Sequence, residues 1–334
     1  MNSPSRPTTL RPFLPPLSMI VLFIGIALLL EIGDRAPLHL DRRNPNPPIA
    51  SDFYRHYGSV LDGSIGGPYA YRLLVPWMTE TVHWVLPSFS EIDIDAGLKT
   101  LILFLLQATF FWSLRRWFSS WVAFAGVLWM DVLVGYSLAY VLGPASGETT
   151  DLLNLLVFII ALDFMLDGGM ARILTLFVIG MFNRETPLLL LPLVYVVDRA
   201  EGRNAVRTVC LLVGSVAVYL GLRIAVPAVG GGWFTVEGLA MNIPGYATGM
   251  EERAIASIVH VLILLGPLFM LALPGFTRKP LIFRGSIVVA AALVLIHFAV
   301  ATVIESRLWM PLYALLIPSS LHTLNNKFAR NSSS

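Results

Sequence analysis

Three adjacent polar residues, Asn183, Arg184 and Glu185, interrupt an apolar stretch of the chain. Apolar runs flank them on both sides, from Ile173 to Phe182 and from Leu188 to Val197. An Arg or a Glu is costly at bilayer depth, and such residues usually face a bundle interior or a wet cavity that serves a function. The tripeptide is therefore the first candidate for a functional site.

Ionisable residues elsewhere in the chain are candidates to act together with this tripeptide. Arginine recognises phosphate through two parallel hydrogen bonds, and the arginines that fit this role are Arg55, Arg72, Arg184 and Arg307. Asp52 stands beside aromatic residues early after the first apolar run, where it is our candidate for the general base that deprotonates an acceptor hydroxyl. The other residues that we predict to bind substrate are His56, Asn183, Glu185 and Glu305.

Composition places these residues in a membrane protein. Of the 334 residues, 56% are hydrophobic and 13% are charged, and the mean hydropathy is +0.73. The apolar runs are continuous and do not alternate, which predicts an all-α polytopic membrane protein. A net charge of +2 with scattered arginines argues against a nucleic-acid partner. The single cysteine, Cys210, excludes an intramolecular disulfide.

Length criteria predict a single integral membrane domain, residues 1–334, with about 8–10 transmembrane helices. A cytoplasmic N-terminus, residues 1–12, precedes an uncleaved first helix from Phe13 to Leu30, and residues 322–334 form a cytoplasmic tail. The further spans are predicted at Leu98–Leu114, Trp121–Leu142, Leu152–Leu166, Val206–Val226, Ile255–Leu273, Ser286–Ile304 and Leu308–Leu321.

The distribution of Lys and Arg in short loops sets the predicted orientation. Every compact basic cluster is cytoplasmic only if the segment from Ala171 to Asp198 begins and ends on that side. Its length, about 28 residues, is long for one helix and short for two full spans. We therefore predict a broken-helix hairpin with Asn183, Arg184 and Glu185 at its tip, on the same extracytoplasmic face as Glu148 and Asp151.

The first extracytoplasmic loop, residues 31–97, is far longer than a simple connection, and long ordered loops are usually functional. Residues Tyr69 to Leu86 are amphipathic and aromatic, which predicts a helix that lies at the membrane interface. Earlier in the loop, Ser51 or Asp52 could cap a short helix.

Four short elements together resemble the polytopic GT-C-type glycosyltransferases, and more closely their poorly characterised bacterial membrane relatives. They are centred on Asp52, on Arg72, on residues 183–185 and on Glu305 with Arg307. The resemblance implies transfer of a sugar from a polyprenyl-phosphate-linked donor to a lipid or glycan acceptor, on the extracytoplasmic face of a bacterial inner membrane, with Asp52 as the catalytic base. The first loop has one clear acidic candidate where a pair is usual, so the need for a divalent metal cofactor stays open.

Two other functions fit the same sequence. A transporter or flippase of a lipid-linked or anionic small molecule would line its path with Arg184 and Glu185, and broken helices are common in such proteins. A non-catalytic membrane assembly subunit would pair off its charged residues.

Individual residues also have structural interpretations. Arg184 and Glu185 could form a buried pair, and Arg72 could snorkel to lipid headgroups. Asp52 could be only a helix cap, and Glu305 and Arg307 could only anchor the last span. The histidines share no metal-ligand spacing, so no metal site is predicted.

Overall fold

A computed structural model of the chain describes residues 17–40, 58–62, 64, 72–139, 148–226, 251–300 and 306–331. In these ranges the chain is helical with connecting turns and contains no strand, which confirms the all-α prediction. Four predicted site residues lie outside the described ranges: Asp52, Arg55, His56 and Glu305.

Besides a short helical turn at residues 58–61, the described residues form eleven α-helices and three short 3-10 helices. In chain order the α-helices are α1 (Leu17–Leu40), α2 (Leu74–Val85), α3 (Glu91–Arg115), α4 (Ser120–Ala139), α5 (Glu148–Asp167), α6 (Met170–Met181), α7 (Leu191–Ala200), α8 (Ala205–Ala225), α9 (Glu251–Ala272), α10 (Leu281–Val300) and α11 (Met310–Asn331). The 3-10 helices are Thr186–Leu190, Phe276–Arg278 and Ser306–Trp309.

Among these helices, α3, α4, α5, α8 and α10 are long and apolar enough to cross a membrane, as an integral membrane protein requires. The apolar parts of α1, α6 and α9 are shorter. Helix α11 has 22 residues, but its C-terminal part from His322 onward is mostly polar. The described part of the chain thus contains five candidate spans, and the total of about 8–10 stays a prediction.

Helix α3 begins seven residues before its predicted start at Leu98. Ser90 caps it by accepting a hydrogen bond from the Asp93 N–H at 3.2 Å, and Glu91 and Asp93 lie in the first turn, where the helix dipole favours acidic side chains. Hydropathy alone missed this polar first turn. The segment predicted to form an interfacial helix, Tyr69 to Leu86, is helical from Leu74 to Val85, which is α2; its location at the membrane interface stays a prediction.

Helices α5 and α11 form the centre of the bundle. Helix α5 packs against α3, α6, α7 and α11, and α11 also packs against α4, α9 and α10. The stretch from Trp309 to Ile317 is buried at every residue, as expected for a helix that is apolar all round. Helix α8 lies at the periphery, since only 17% of its apolar window is buried.

The helical run after Met170 breaks where the polar tripeptide stands. Helix α6 ends at Met181, the 3-10 helix follows from Thr186, and α7 starts only at Leu191. Gly180 makes the break compact, because a Cβ atom there would lie 3.0 Å from Cγ of Pro187. Pro187 itself suits the first turn of the returning segment, where its missing N–H leaves no bond unmade.

The segment formed by α6 and α7 starts and finishes at the same end of the bundle. Arg203, just after α7, donates to the Met165 carbonyl near the C-terminus of α5 at 2.7 Å. Asn183, at the break, donates to the Thr150 carbonyl in the first turn of α5 at 2.8 Å. Helix α5 is about 30 Å long at 1.5 Å per residue, so these contacts lie at opposite ends of the bundle, as the predicted hairpin requires.

We call the end that contains Asn183 the break end, and the end that contains Arg203 the basic end. Arg116 pairs with Asp163 at 3.3 Å at the basic end. The rings of Trp117 and Phe283 lie 5.0 Å apart, which places the first turns of α10 at this same end. The basic clusters of the described helices therefore gather on one side, as the charge pattern predicted.

Candidate functional site

The carboxylate of Asp151 is the centre of the break end. Its Oδ1 forms an ion pair with Nη2 of Arg184, and its Oδ2 lies 3.5 Å from Nε of Arg307. The three side chains are nearly inaccessible, with exposed fractions of 2% for Asp151 and 6% for each arginine. Two arginines that are far apart in the sequence thus share one buried carboxylate.

Each of the three residues comes from a different structural element. Asp151 lies in the first turn of α5, and Arg307 lies in the 3-10 helix that leads into α11. Arg184 lies in the turn after α6, where the N–H groups of Asn183 and Arg184 both donate to the Gly180 carbonyl, at 2.9 and 2.7 Å. The helix break therefore fixes the position of the Arg184 backbone, from which the side chain extends to Asp151.

Two polar contacts hold this turn against α5. The Asn183 side chain donates to the Thr150 carbonyl at 2.8 Å, and Thr186 Oγ1 donates to Asn154 Oδ1 at 2.9 Å. Residues Thr150 and Asn154 are one helical turn apart and therefore lie on one face of α5. These contacts flank the pair of Asp151 and Arg184 and fix the turn in place.

The electrostatics of the break end favour an additional anion. Two guanidinium groups share one carboxylate, so the three side chains carry a net charge of one positive. The N-terminus of α5 adds a partial positive charge, because Asp151 lies in its first turn. An anionic group that reaches Arg184 and Arg307 would meet two guanidinium groups and the positive end of this helix dipole.

Glu185 does not contribute to this cluster. Its carboxylate is 40% exposed and lies 3.9 Å from Nη2 of Arg223, in the last turn of α8. The same guanidinium lies over the ring of Tyr219, 5.1 Å from its centre. The structural alternative in which Arg184 pairs with Glu185 is wrong, because Arg184 pairs with Asp151. The pair of Glu185 and Arg223 is a partly exposed contact of the kind that contributes little stability.

Helix α2 is attached directly to the break. The Leu74 N–H donates to the Phe182 carbonyl at 3.0 Å, and the rings of Trp77 and Phe182 lie 6.0 Å apart. Arg72 precedes this contact by two residues and is half-buried. The segment predicted to lie at the membrane interface therefore brings Arg72 to the break end.

Of the nine predicted site residues, the five within the described ranges belong to break-end segments: Arg72, Asn183, Arg184, Glu185 and Arg307. Asp151 is missing from the predicted set, although the sequence placed it on this face. Its signal was a carboxylate at the start of an otherwise apolar helix, but a residue there can also be only a favourable first-turn acid.

His297 also lies beside this end of the bundle. Its ring is 5.3 Å from the ring of Trp309, two residues after Arg307, and its Nδ1 lies 2.8 Å from the Leu293 carbonyl oxygen of its own helix. Within the described residues, no group of three or more His, Cys, Asp or Glu side chains could hold a metal ion.

Searches against protein-family models, curated proteins and solved structures found no match to this chain. The resemblance to the GT-C-type enzymes therefore rests on the short sequence elements alone, and the function that it implies is a proposal.

Proposed function

We propose that this protein is a membrane glycosyltransferase that takes a sugar from a polyprenyl-phosphate-linked donor at the break end. The observation that supports this function best is the convergence of two buried arginines, Arg184 and Arg307, on Asp151. A phosphodiester that links a sugar to a polyprenyl chain carries one negative charge. Arginine binds such a group through two parallel hydrogen bonds.

Each residue would have a separate role in the reaction. Asp52 removes the proton of the acceptor hydroxyl, whose oxygen then forms a bond to the anomeric carbon of the sugar. The bond between that carbon and the phosphate oxygen breaks, and the phosphate leaves with one more negative charge. Arg184 and Arg307 stabilise the charge as it develops. Asp151 is a positioning residue that holds the two arginines together.

The proposed orientation puts the break end outside. Basic residues of short loops remain cytoplasmic, and here they gather at the opposite end of the bundle. The site would then face the extracytoplasmic side of a bacterial inner membrane, where the acceptor is a lipid or a glycan. The membrane domain would have about 8–10 spans and a cytoplasmic N-terminus.

Sugar transfer in reconstituted membranes tests this proposal. The purified chain in lipid vesicles receives labelled sugars on polyprenyl phosphate, and wild type is compared with Asp52→Asn and Arg184→Gln. We expect loss of about 10²- to 10⁴-fold when the base is removed and about 10²- to 10³-fold when one charge-stabilising group is removed. Arg203→Gln is the matched control, because it removes an arginine from the basic end and should keep the transfer rate per folded molecule.

Undiminished transfer by Asp52→Asn would remove Asp52 from the mechanism. Equal losses in Arg184→Gln and Arg203→Gln would mean that Arg184 acts only through stability. Absence of transfer with every donor tested would argue against the enzyme.

Two observations favour the alternatives. The break between α6 and α7 is the type of discontinuity that lines the path of a transporter, and uptake of labelled polyprenyl phosphate across the vesicle membrane without sugar transfer would establish that function. The mutual pairing of Asp151, Arg184 and Arg307 is what an assembly subunit would show, and neither transfer nor uptake would support that reading.

Cysteine labelling tests the proposed orientation independently. In a Cys210→Ser background, Glu185→Cys should react with a membrane-impermeant reagent from the same side as Asp52→Cys. Arg172→Cys, at the basic end, should react from the other side. If positions 52 and 185 were labelled from opposite sides, the proposed site could not exist.

A further inference from the structure

The basic end consists of two parts that differ in how their arginines are neutralised. In the part near α5 and α8, four arginines form ion pairs with three aspartates: Arg116, Arg172, Arg203 and Arg207 with Asp163, Asp167 and Asp198. The part near the start of α10 contains Arg278, Lys279 and Arg284. No Asp or Glu occurs in the sequence between Glu252 and Glu305, so this part has no acidic residue of its own.

The turn between α3 and α4 adds an arginine and an aromatic side chain to the second part. The ring of Phe283 lies 5.0 Å from that of Trp117 and 6.4 Å from that of Phe118. Arg115 donates from Nη1 to the Phe118 carbonyl at 3.3 Å, which holds its guanidinium beside Phe118. Arg284 directly follows Phe283 in α10. We call Arg115, Arg278, Arg284 and Trp117 the uncompensated patch.

Lys279 lies next to this patch but is used inside the fold. Its Nζ donates to the Ser319 carbonyl at 2.8 Å and to Thr323 Oγ1 at 2.5 Å, so it fastens the start of α10 to α11. Burial lowers the pKa of Lys279. Lys279 is therefore not available to an external ligand, and only the arginines of the patch can bind one.

None of these arginines is neutralised within the described part of the chain. No described carboxylate lies within ion-pair distance of Arg115, Arg278 or Arg284. Arg278 is exposed, and Nε of Arg284 is buried without a hydrogen-bond partner among the described residues. Three arginines with no carboxylate partner in one patch attract an anion.

The residues around the patch indicate which kind of anion it binds. Trp117 is 40% exposed, as expected for an aromatic residue at the headgroup level of a membrane. Val288 follows Arg284 by one helical turn, on the same face of α10, and is 58% exposed. An apolar surface thus continues from the arginines along the helix, which suits an anion that carries acyl chains. Basic pockets between membrane helices are known to bind lipid headgroups in this way.

We propose that the uncompensated patch binds the headgroup of an anionic phospholipid, with Arg115, Arg278 and Arg284 at its phosphate and Trp117 and Val288 beside its acyl chains. This site lies at the end of the bundle opposite to the proposed catalytic site and does not depend on its function. Occupancy would stabilise the fold, since a ligand that binds only the folded state raises the free energy of unfolding.

Thermal unfolding in detergent micelles tests this proposal on the full chain. The probes are phosphatidylglycerol, phosphatidylcholine and inorganic phosphate. We expect phosphatidylglycerol to raise the unfolding midpoint, and the other two to leave it near its starting value. The double variant Arg278→Gln with Arg284→Gln should lose most of that rise. Arg172→Gln, which removes an exposed arginine from the neutralised part, should keep it.

Each outcome decides the proposal. Equal losses of the rise in the double variant and in Arg172→Gln would show a general charge effect and overturn it. A rise of the same size with phosphatidylcholine would show that acyl chains alone are recognised. A rise of the same size with inorganic phosphate would show a site for free anions. Either result rejects the anionic lipid.

Discussion

Helix α5 has an ion cluster of the same composition at each end, with one aspartate between two arginines. At the basic end, Asp198 pairs with Arg203 at 3.1 Å and with Arg207 at 3.2 Å. At the break end, Asp151 pairs with Arg184 and Arg307. The two clusters differ in sequence separation, in burial and in what else their arginines contact.

The cluster around Asp198 is assembled locally and suits its place. Its three members lie within one short stretch of the chain, and the arginine side chains are 17% and 13% exposed. Both arginines also donate to carbonyls at the C-terminus of α5, including Gly168 at 2.7 Å. The helix dipole favours cations there, so these contacts agree with the local electrostatics.

The cluster around Asp151 is assembled from three distant segments, at the end of α5 where the dipole disfavours cations. Its arginines are 6% exposed, and within the described residues no backbone carbonyl accepts a hydrogen bond from the Arg184 side chain. A fold that keeps two arginines in such a place holds them against an electrostatic cost. This contrast supports the proposal that the break end has a functional role and the basic end a stabilising one.

Removal of the central carboxylate should show the largest difference in stability between the two clusters. Asp151→Asn removes the carboxylate that the two buried arginines share and should destabilise the fold by about 3–5 kcal/mol. Asp198→Asn should cost less, about 1–3 kcal/mol, because its arginines keep their carbonyl partners. Denaturant unfolding in mixed micelles measures both values. Equal losses would mean that the clusters do not differ as described.

A methyl group at Gly180 should disturb the break end by a smaller amount. The added Cβ atom would lie 3.0 Å from Cγ of Pro187 and 3.1 Å from Cγ1 of Val157. Displacing the proline ring shifts the 3-10 helix, so we expect Gly180→Ala to lose about 1 kcal/mol net, although alanine favours the helix by a similar amount. Gly221→Ala in α8 is the control, since a Cβ atom there meets nothing within 4 Å. A gain in stability in both variants would contradict the close packing at the break.

Inorganic phosphate should partly replace the missing carboxylate. In Asp151→Asn, the anion can take the place of the Asp151 carboxylate beside Arg184 and Arg307, and we expect it to restore about 1–2 kcal/mol at concentrations well above its dissociation constant. It should restore little in Asp198→Asn, whose arginines are held by carbonyls. The unfolding midpoint with and without phosphate measures this difference. Equal recovery in the two variants would rule out an anion site at the break end.

The pair of Glu185 and Arg223 should have the smallest effect. The groups are 3.9 Å apart and the carboxylate is 40% exposed, so the coupling energy should be below about 1 kcal/mol. A double-mutant cycle with Glu185→Gln and Arg223→Gln measures it. A coupling energy above about 1 kcal/mol would mean that this pair also stabilises the break end, which would then include Arg223 of α8.

The sequence by itself determined the helical membrane class and the position of the helix break. Long apolar runs predict spans because the bilayer requires them. The polar residues at 183–185 indicated the break, since charged residues are costly inside an apolar membrane helix. The charge pattern also placed the two ends of the segment on one side, which the contacts of Arg203 and Asn183 confirm.

Only the tertiary structure decided which charges meet. Sequence spacing suggested the neighbour Glu185 as a partner of Arg184, but adjacent residues project in different directions, and the turn after α6 directs Arg184 to Asp151. The contribution of Arg307 depends on how α11 packs against α5, which is a contact between residues far apart in the chain. A local pattern can identify charged residues at membrane depth, whereas their partners follow from packing of the whole bundle.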